Sequence, residues 1–183
     1  MSSLVFTLAT SDIELLQILN LQQQNLRSTQ SHEIEADQGF VTVQHNFNIL
    51  QEMNNEARHI IAKDGEIVIG YALAMTKFFQ DKIPELSSMF DLLDNLEVDG
   101  LRIGDDKYIV MGQVCIDLKY RGKGIFKGMY EKYFEKYKPL YHWVITEVAS
   151  RNTRSLRAHF NVGFKEIYRY DEPGIEEWVI LRY

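Results

Sequence analysis

Apolar and polar residues alternate along the chain with two spacings, one typical of amphipathic helices and one of buried strands. A short apolar run over residues 5–8 predicts a first strand. Ser11 then provides an N-cap for a helix predicted over residues 12–26. A second helix is predicted over residues 47–55, and the polar, irregular stretch 28–39 between the two helices indicates a loop.

The middle of the chain predicts a β-hairpin. Two strand-like runs, residues 59–62 and 67–74, are joined by Asp64-Gly65, a dipeptide that favours tight hairpin turns. Gly70 lies inside the second run, where a missing side chain indicates a bulge or a close approach of another backbone.

The second half of the chain alternates between helical and strand-like patterns. The predicted elements are helix 78–96, strand 108–118, helix 124–137, strand 143–148, helix 152–161 and strands 164–170 and 177–181. The run 108–118 has almost no alternation, as expected for a central strand that is buried on both faces. The order predicts one mixed α/β domain over residues 1–183, with antiparallel pairs at the ends and a parallel crossover in the second half.

Composition narrows the class of protein. The chain has 183 residues, of which 45% are hydrophobic and 25% charged, and these values suit one globular domain. Its net charge of -6 disfavours non-specific nucleic-acid binding, which needs a basic surface. One basic cluster nevertheless stands out, with Lys119, Arg121, Lys123 and Lys127 close together. It indicates a small anionic ligand or, alternatively, a solvated surface run.

The single cysteine, Cys115, excludes an intrachain disulfide and a metal site built on thiolates. The N-terminal residues do not resemble a signal peptide, and no apolar run is as long as a membrane span. We therefore expect a cytoplasmic protein that has no metal and no membrane partner.

The candidate chemistry begins where the strand 108–118 gives way to the helix 124–137. Gly122 and Gly124 remove side chains that would block a ligand from the backbone, and the first amides of the new helix have no internal partner. The helix dipole and nearby cations complete a phosphate site. The glycine spacing fits neither a Walker loop nor the dinucleotide fingerprint. The alternative is a tight strand-to-helix turn with surface charges.

Two motifs give this turn a family context. Arg121-x-x-Gly124-x-Phe126 resembles the acetyl-CoA loop of the GCN5-related N-acetyltransferase (GNAT) superfamily. The stretch from Asn152 to Gly163-Phe164 resembles the next motif of that superfamily, in which an asparagine opens a helix and Gly-Phe begins a strand. The resemblance covers residues 105–183 well, whereas the first half matches only in the order of its elements.

The resemblance implies a mixed central sheet of about six to seven strands flanked by helices, with two central strands that splay apart. It also implies a cofactor, acetyl-CoA or another acyl-CoA, whose pantetheine arm pairs with the backbone of one central strand and whose pyrophosphate lies on the turn. The implied cofactor-binding residues are Ile116, Asp117, Leu118, Arg121, Gly122, Lys123, Gly124, Ile125, Phe126, Asn152 and Ser155. For Asn152, a plain helix N-cap is an alternative that is compatible with this role.

The implied function is the direct transfer of an acetyl group to a primary amine of a small molecule or peptide. The alternative is a non-catalytic CoA-binding module that acts as a sensor or interaction domain. Two departures from the family pattern favour that alternative. Phe126 stands where the family usually has glycine or alanine, and His159 stands where it often has a tyrosine that serves as the acid for the departing thiolate.

Four residues are candidates for chemistry at the acceptor side. His159 could act as the acid, since imidazole titrates near neutral pH, or it could be structural. Glu147 interrupts an apolar strand, where a carboxylate is costly unless it is used as a base or paired. Gln113 is a predicted substrate ligand. Cys115 could be a nucleophile, but a lone buried cysteine is more often a packing residue.

Two further expectations concern the acceptor and the assembly of the protein. By analogy with the family, the polar stretch 28–45 lines the acceptor pocket, and the negative net charge mildly favours a cationic amine. We also expect that the closing strand, residues 177–183, could pair across a homodimer.

Overall fold

The computed structural model describes residues 4–26 and 43–183, so the predicted loop 28–39 lies outside the described residues. The strands, in chain order, are β1 (Leu4–Leu8), β2 (Ile60–Asp64), β3 (Ile67–Met75), β4 (Glu97–Val98), β5 (Leu101–Arg102), β6 (Tyr108–Ile116), β7 (Trp143–Ala149), β8 (Lys165–Glu172) and β9 (Glu176–Arg182). The helices are α1 (Asp12–Asn25), α2 (Phe47–Glu56), α3 (Ser87–Asn95), α4 (Ile125–Tyr137) and α5 (Thr153–Asn161).

Seven strands form one mixed sheet in the order β1-β2-β3-β6-β7-β9-β8, which confirms the predicted fold class. All neighbouring pairs are antiparallel except β6 and β7, which are parallel. β6 and β7 pair only over residues 108–110 and 143–145 and then splay apart. The sheet therefore opens at its centre, at the carboxyl ends of two parallel strands, where α/β proteins commonly bind ligands.

Helices cover both faces of the sheet. Apolar side chains of α1, α2 and α3 pack on one face, and those of α4 and α5 pack on the other. The predicted start of α1 is confirmed by a capping box, in which Ser11 Oγ accepts from the Glu14 N–H and the Glu14 carboxylate accepts from the Ser11 N–H. α4 packs so closely on β1 that a Cβ at Gly128 would lie 2.3 Å from the ring of Phe6.

The β2–β3 hairpin and the special role of Gly70 are also confirmed. The register shifts by one residue between Ala62 and Lys63, opposite the stretch that contains Gly70. A Cβ on Gly70 would lie 3.2 Å from the carbonyl oxygen of Cys115 on β6. The missing side chain therefore lets β3 and β6 approach at the point where β6 leads into the turn.

Three predictions about the elements were wrong. Residues 78–96 do not form one helix, because Pro84 lacks an N–H and restricts Ile83; two short 3-10 turns precede α3. β6 ends at Ile116 and not at Leu118, since Asp117 caps the Lys119 N–H and begins another 3-10 turn.

The third error concerns the closing strand, which we expected to pair across a dimer. β9 lies between β7 and β8, so both of its edges already pair within the chain. A dimer through this strand would require β8 to leave the sheet. The strands at the two edges of the sheet are β1 and β8.

Candidate active site

The turn between β6 and α4 has the backbone conformation that its glycines permit. Gly122 and Gly124 have φ values of 76° and 78°, in the left-handed region that costs other residues about 1–2 kcal/mol. Gly124 is the N-cap of α4, and its carbonyl accepts from the Gly128 N–H at 3.0 Å. The two glycines therefore turn the chain sharply from the strand into the helix.

This conformation leaves a run of backbone donors unused. Within residues 4–26 and 43–183, no group accepts a hydrogen bond from the N–H groups of residues 122–127. The partial positive charge of the α4 N-terminus lies in the same place. Six adjacent amides at a helix N-terminus form a site for a phosphate or pyrophosphate group.

A groove with a volume of about 330 Å³ runs from this turn along the end of β6 to α5. Predicted cofactor residues that line it are Ile116, Arg121, Gly122, Gly124, Ile125, Phe126, Asn152 and Ser155. Asp117, Leu118 and Lys123 lie outside its lining. The side chain of Asp117 caps the 3-10 turn, and the Lys123 Nζ lies 5.0 Å from the ring of Tyr120.

The other residues that line the groove were not predicted to contact the cofactor; they are Asn25, Val114, Cys115, Tyr120, Arg154 and Ala158. Ala158 follows Ser155 at helical spacing, so the face of α5 could have identified it. Asn25 belongs to α1, far away in sequence, and carries no local signal.

The Arg121 side chain connects the turn to its surroundings. Its Nε donates to the Ile116 carbonyl at 3.0 Å, and one Nη donates to Asn25 Oδ1 at 3.0 Å. These bonds hold the end of β6, the turn and the end of α1 together. The structure thus gives Arg121 contacts that shape the groove, whereas the sequence suggested only a charge for the phosphates.

The gap between β6 and β7 exposes backbone groups on β6. Donor direction alternates along a strand, and the Asp117 N–H donates toward β3, to the Ile69 carbonyl at 2.9 Å. The backbone groups of Val114 and Ile116 therefore face the gap. At the start of the gap, the Thr146 hydroxyl donates to the Met111 carbonyl at 2.9 Å and replaces a bond lost to the splay.

A second space, of about 80 Å³, lies between the splayed strands. The described residues that line it are Met111, Gly112, Gln113, Val114, Thr146, Glu147, Val148, Ala149, Asn152, Ser155, His159 and Trp178. It shares Val114, Asn152 and Ser155 with the groove. The two spaces therefore meet at these residues, so a ligand in the groove and a ligand in the gap would touch there.

Glu147 lies in the gap, and its carboxyl group has an unusually high pKa. Burial and the nearby Glu172 raise its pKa and a hydrogen bond from Tyr170 opposes the change, which leaves the pKa at about 7. Tyr170 Oη donates to the carboxylate at 2.5 Å. Trp178 Nε1 donates to Glu172 at 2.9 Å, so the indole and both carboxylates belong to one cluster. A carboxylate that titrates near neutrality can accept a proton from an amine.

His159 is buried, and both ring nitrogens have partners. Its Nδ1 lies 2.7 Å from the Ser155 carbonyl and its Nε2 lies 2.7 Å from the Tyr130 hydroxyl. Burial lowers its pKa to about 4, so the ring is neutral at physiological pH. A neutral ring has no extra proton to give to a thiolate. The catalytic role predicted for His159 is untested, but this geometry favours the structural alternative.

Phe126 lines the groove and also packs on the residues beneath it. Its ring centroid lies 4.8 Å from that of Tyr130 and 5.1 Å from that of His159. Phe126 therefore places a bulky ring in the groove lining and also continues the aromatic face of α4.

Gln113 belongs to a buried polar network. Its Oε1 accepts from Tyr71 Oη at 2.7 Å and from Gln22 Nε2 at 2.6 Å, while its Nε2 donates to the Val43 carbonyl at 2.8 Å. Gln22 Oε1 also accepts from the backbone N–H of His45 at 2.9 Å. The side chain predicted to bind substrate thus mainly anchors residues 43–45. The rest of the predicted acceptor stretch, residues 28–42, lies outside the described residues.

Cys115 lines the groove next to Tyr71 and Arg121. Burial raises the pKa of its thiol to about 12, so the thiolate that a nucleophile needs is scarce at neutral pH. The packing interpretation fits this environment. Among the described residues, no cluster of His, Cys, Asp and Glu could hold a metal ion, and no helix there is long and apolar enough to cross a membrane.

Solved structures with similar folds include several acetyltransferases. The ribosomal-protein-S18-alanine N-acetyltransferase of Escherichia coli is 11% identical, with a TM-score of 0.63 over 98% of this chain and 92% of that chain. Arabidopsis thaliana NAA60, solved with acetyl-CoA, is 16% identical with a TM-score of 0.63 over 99% of each chain. Arabidopsis thaliana Naa50, solved with the bisubstrate analogue CoA-Ac-MVNAL, is 12% identical with a TM-score of 0.64 over 99% of this chain and 98% of that chain.

These identities are low enough that the similarity establishes the fold alone. No curated protein matches the sequence significantly. A sequence profile described as "Acetyltransferase (GNAT) family" matches residues 17–164, which include the turn, the splayed strands and α5. The chain belongs to the GNAT acetyltransferase family.

Proposed function

We propose that this protein is an acetyl-CoA-dependent N-acetyltransferase that transfers an acetyl group directly to a primary amine of a peptide or small molecule. The observation that carries the proposal is the run of six unpaired amides, residues 122–127, at the head of a groove that meets a second space beside Glu147. A cytoplasmic location, expected from the single cysteine, is part of this proposal.

The groove fits the chemistry of CoA. The pyrophosphate would accept hydrogen bonds from the amides of residues 122–127. The amides of the pantetheine arm would pair with the backbone groups of Val114 and with the N–H of Ile116, as an added strand does at an open sheet edge. The Ile116 carbonyl already accepts from Arg121 Nε. Asn152 and Ser155 would contact the arm from α5. Acetyl-CoA bound to NAA60 and the bisubstrate analogue bound to Naa50 support this use of the fold.

The second space fits an attacking amine. A neutral amine nitrogen would attack the thioester carbon, the carbon–sulfur bond would break, and Glu147 would accept the proton that the nitrogen loses. Its pKa of about 7 leaves a large fraction deprotonated at physiological pH while keeping it basic enough to accept that proton. A peptide acceptor is supported by the peptide-like portion of the Naa50 analogue, MVNAL.

A second candidate is a CoA-binding module without catalysis. Phe126 places a bulky ring in the groove lining and both ring nitrogens of His159 have partners, and these two features favour this candidate. It predicts CoA binding but no turnover with any amine.

Two measurements test the proposal. Acetyl-CoA should raise the melting temperature, because a ligand that binds only the folded state stabilises it. A panel of peptides and small amines, with detection of released thiol, should then show steady turnover for at least one acceptor. No thermal shift at millimolar acetyl-CoA would contradict the cofactor assignment. A shift without turnover across the panel would favour the non-catalytic module.

A further inference from the structure

We propose that Ser155 is the catalytic residue that donates a hydrogen bond to the sulfur of the departing CoA thiolate, and that His159 and Tyr130 are positioning residues that orient its hydroxyl. This assignment rests on the acetyl-CoA-dependent transfer proposed above. The departing thiolate is then stabilised by a series of neutral hydrogen-bond donors and not by a protonated histidine.

Ser155 lies where the cofactor groove meets the acceptor space. In a direct transfer, the sulfur must lie where the cofactor groove meets the acceptor space, because the amine attacks the carbon bonded to it. Val114, Asn152 and Ser155 line both spaces. Ser155 has the only hydroxyl among the three. The Asn152 side-chain oxygen already accepts from the Ser155 N–H at 3.2 Å.

The hydrogen bonds of His159 determine which of its ring nitrogens holds the proton. The Ser155 carbonyl can only accept, so the His159 Nδ1 at 2.7 Å from it must hold the ring proton. His159 Nε2 is therefore unprotonated and accepts from Tyr130 Oη at 2.7 Å. Both hydrogen bonds therefore run in the same direction, since Tyr130 in the core donates to His159 and His159 donates toward Ser155 at the groove.

This series of hydrogen bonds ends at the Ser155 hydroxyl. His159 Nδ1 lies 3.3 Å from Ser155 Oγ, so its N–H also faces the oxygen lone pairs. An oxygen that accepts in this way directs its own proton elsewhere and becomes a stronger donor. The Ser155 proton is then available to the groove, where the sulfur would lie.

The aromatic packing explains why the imidazole remains neutral. The rings of Phe126 and Phe164 lie edge-on to His159, with centroids 5.1 Å and 5.3 Å away. They exclude water from the ring and thereby lower its pKa. Phe126 and His159, the two departures from the family pattern, are thus in direct contact and act together.

The step balances without an added proton donor. The neutral amine attacks the carbonyl carbon, the carbon–sulfur pair of electrons leaves with the sulfur, and Glu147 takes the amine proton. Ser155 donates a hydrogen bond without transferring its proton. CoA departs as a thiolate and is protonated by solvent. The charged and titratable groups that line the two spaces are Cys115 of β6, Tyr120 and Arg121 between β6 and α4, Glu147 of β7, and Arg154 and His159 of α5. Tyr130 of α4 reaches them through its hydrogen bond to His159.

The test is the affinity of CoA as a function of pH, with acetyl-CoA as the ligand that lacks a thiol. In the wild-type protein, calorimetry from pH 7 to pH 10 should show CoA binding tighten relative to acetyl-CoA as the thiol ionises. In Ser155→Ala, the increase in CoA affinity relative to acetyl-CoA between pH 7 and pH 10 should be about tenfold smaller than in wild type. Tenfold is about the typical effect of a hydrogen bond to a charged group. Ser155 also contacts the pantetheine arm, so any change in acetyl-CoA affinity should be the same at every pH and cancel in the ratio of CoA to acetyl-CoA affinity.

Three further variants sharpen the test. Ser155→Thr keeps the hydroxyl and should retain the tightening. Thr153→Ala removes an exposed hydroxyl from the same helix outside the lining and should behave as wild type. Tyr130→Phe removes the start of the donor chain and should lose part of the tightening, with kcat lowered and KM for acetyl-CoA unchanged.

The outcomes separate the two proposals. If Ser155→Ala binds CoA and acetyl-CoA with wild-type pH dependence, the assignment of Ser155 is overturned and the proposed function stands. If the wild-type protein binds neither ligand, the proposed function fails and the assignment fails with it. A pH-dependent loss confined to CoA in Ser155→Ala supports both.

Discussion

The cofactor groove and the acceptor space lie side by side, yet they are built from different parts of the chain. The groove offers mainly backbone groups, the amides of residues 122–127 and the open edge of β6 at Val114 and Ile116. The acceptor space offers side chains, with Glu147 and Trp178 prominent among them.

This difference determines how each region responds to substitution. A backbone site keeps its donors as long as the turn keeps its conformation, so most side chains around it can change. A side-chain site depends on individual groups and on the partners that set their pKa, as Tyr170 and Glu172 do for Glu147. We therefore expect substitutions in the groove to alter binding and substitutions in the acceptor space to alter turnover.

The largest effect should come from the acceptor space. Glu147→Gln keeps the size of the side chain and an acceptor for Tyr170 but cannot take a proton. Its kcat should fall about 10²–10⁴-fold, the usual contribution of a general base. The wild-type rate should rise with pH through about 7, where Glu147 loses its proton, and this rise should vanish in the variant.

Initial rates at saturating acetyl-CoA, measured from pH 5.5 to pH 9, check this prediction. Acetyl-CoA affinity serves as the control and should stay within about twofold. An unchanged kcat would remove Glu147 from the mechanism and end the proposed contrast between the two regions.

The same variant should also change the pH dependence of stability. Folding raises the Glu147 pKa from 4.5 to about 7, so its ionisation opposes folding. The free energy of unfolding should therefore fall as pH rises from about 4.5 through 7. Glu147→Gln should lack that loss and gain about 3 kcal/mol over wild type at pH 8 relative to pH 4. Urea unfolding at the two pH values measures it, and an equal difference at both would contradict the raised pKa.

A smaller effect is expected in the groove. Gly124→Ala forces a residue with a Cβ into the left-handed region, at a cost of about 1–2 kcal/mol. Relaxing that strain would turn the amides of the turn, so acetyl-CoA should bind about tenfold more weakly, while kcat at saturation changes little.

Gly65→Ala is the matched control for this variant. Gly65 has a similar φ of 61°, lies in the β2–β3 turn and, like Gly124, has no described heavy atom within 4 Å of its Cβ position. It should lose stability to a similar degree and keep its affinity for acetyl-CoA. Equal affinities of the two variants would show that the turn conformation does not govern binding.

The smallest effect should come from Lys123, a predicted cofactor residue that lies outside the groove lining. Lys123→Ala should weaken acetyl-CoA binding less than about threefold, and this loss should shrink with added salt. Calorimetry at low and high ionic strength measures both. A loss of tenfold or more would show that charged side chains contribute to the groove as strongly as its amides.

The two regions also differ in how well the sequence predicts them. The turn was predictable because its determinants are local: two glycines, a buried strand before them and an amphipathic helix after them. The pattern could not show where Arg121 points, since its partners Ile116 and Asn25 lie on separate elements.

The acceptor space was predictable only in part. Glu147 stood out as a carboxylate in an apolar strand, but its partner Tyr170 lies 23 positions away and left no local signal. His159 was identified by its place in a motif, yet its bond to Tyr130, 29 positions earlier, decides its protonation state. Such pairings arise from the packing of α4 on α5 and from the strand order β7-β9-β8, which residue spacing alone does not specify.

The central claim is that backbone amides of the turn hold the CoA pyrophosphate, and amide chemical shifts test it most directly. In a ¹H–¹⁵N correlation spectrum, a titration with CoA should move the signals of Gly122, Gly124 and Phe126 strongly. The signal of Gly100, in the turn between β4 and β5, should stay in place. If millimolar CoA leaves the turn signals unmoved, or moves all four equally, the account of this site is wrong.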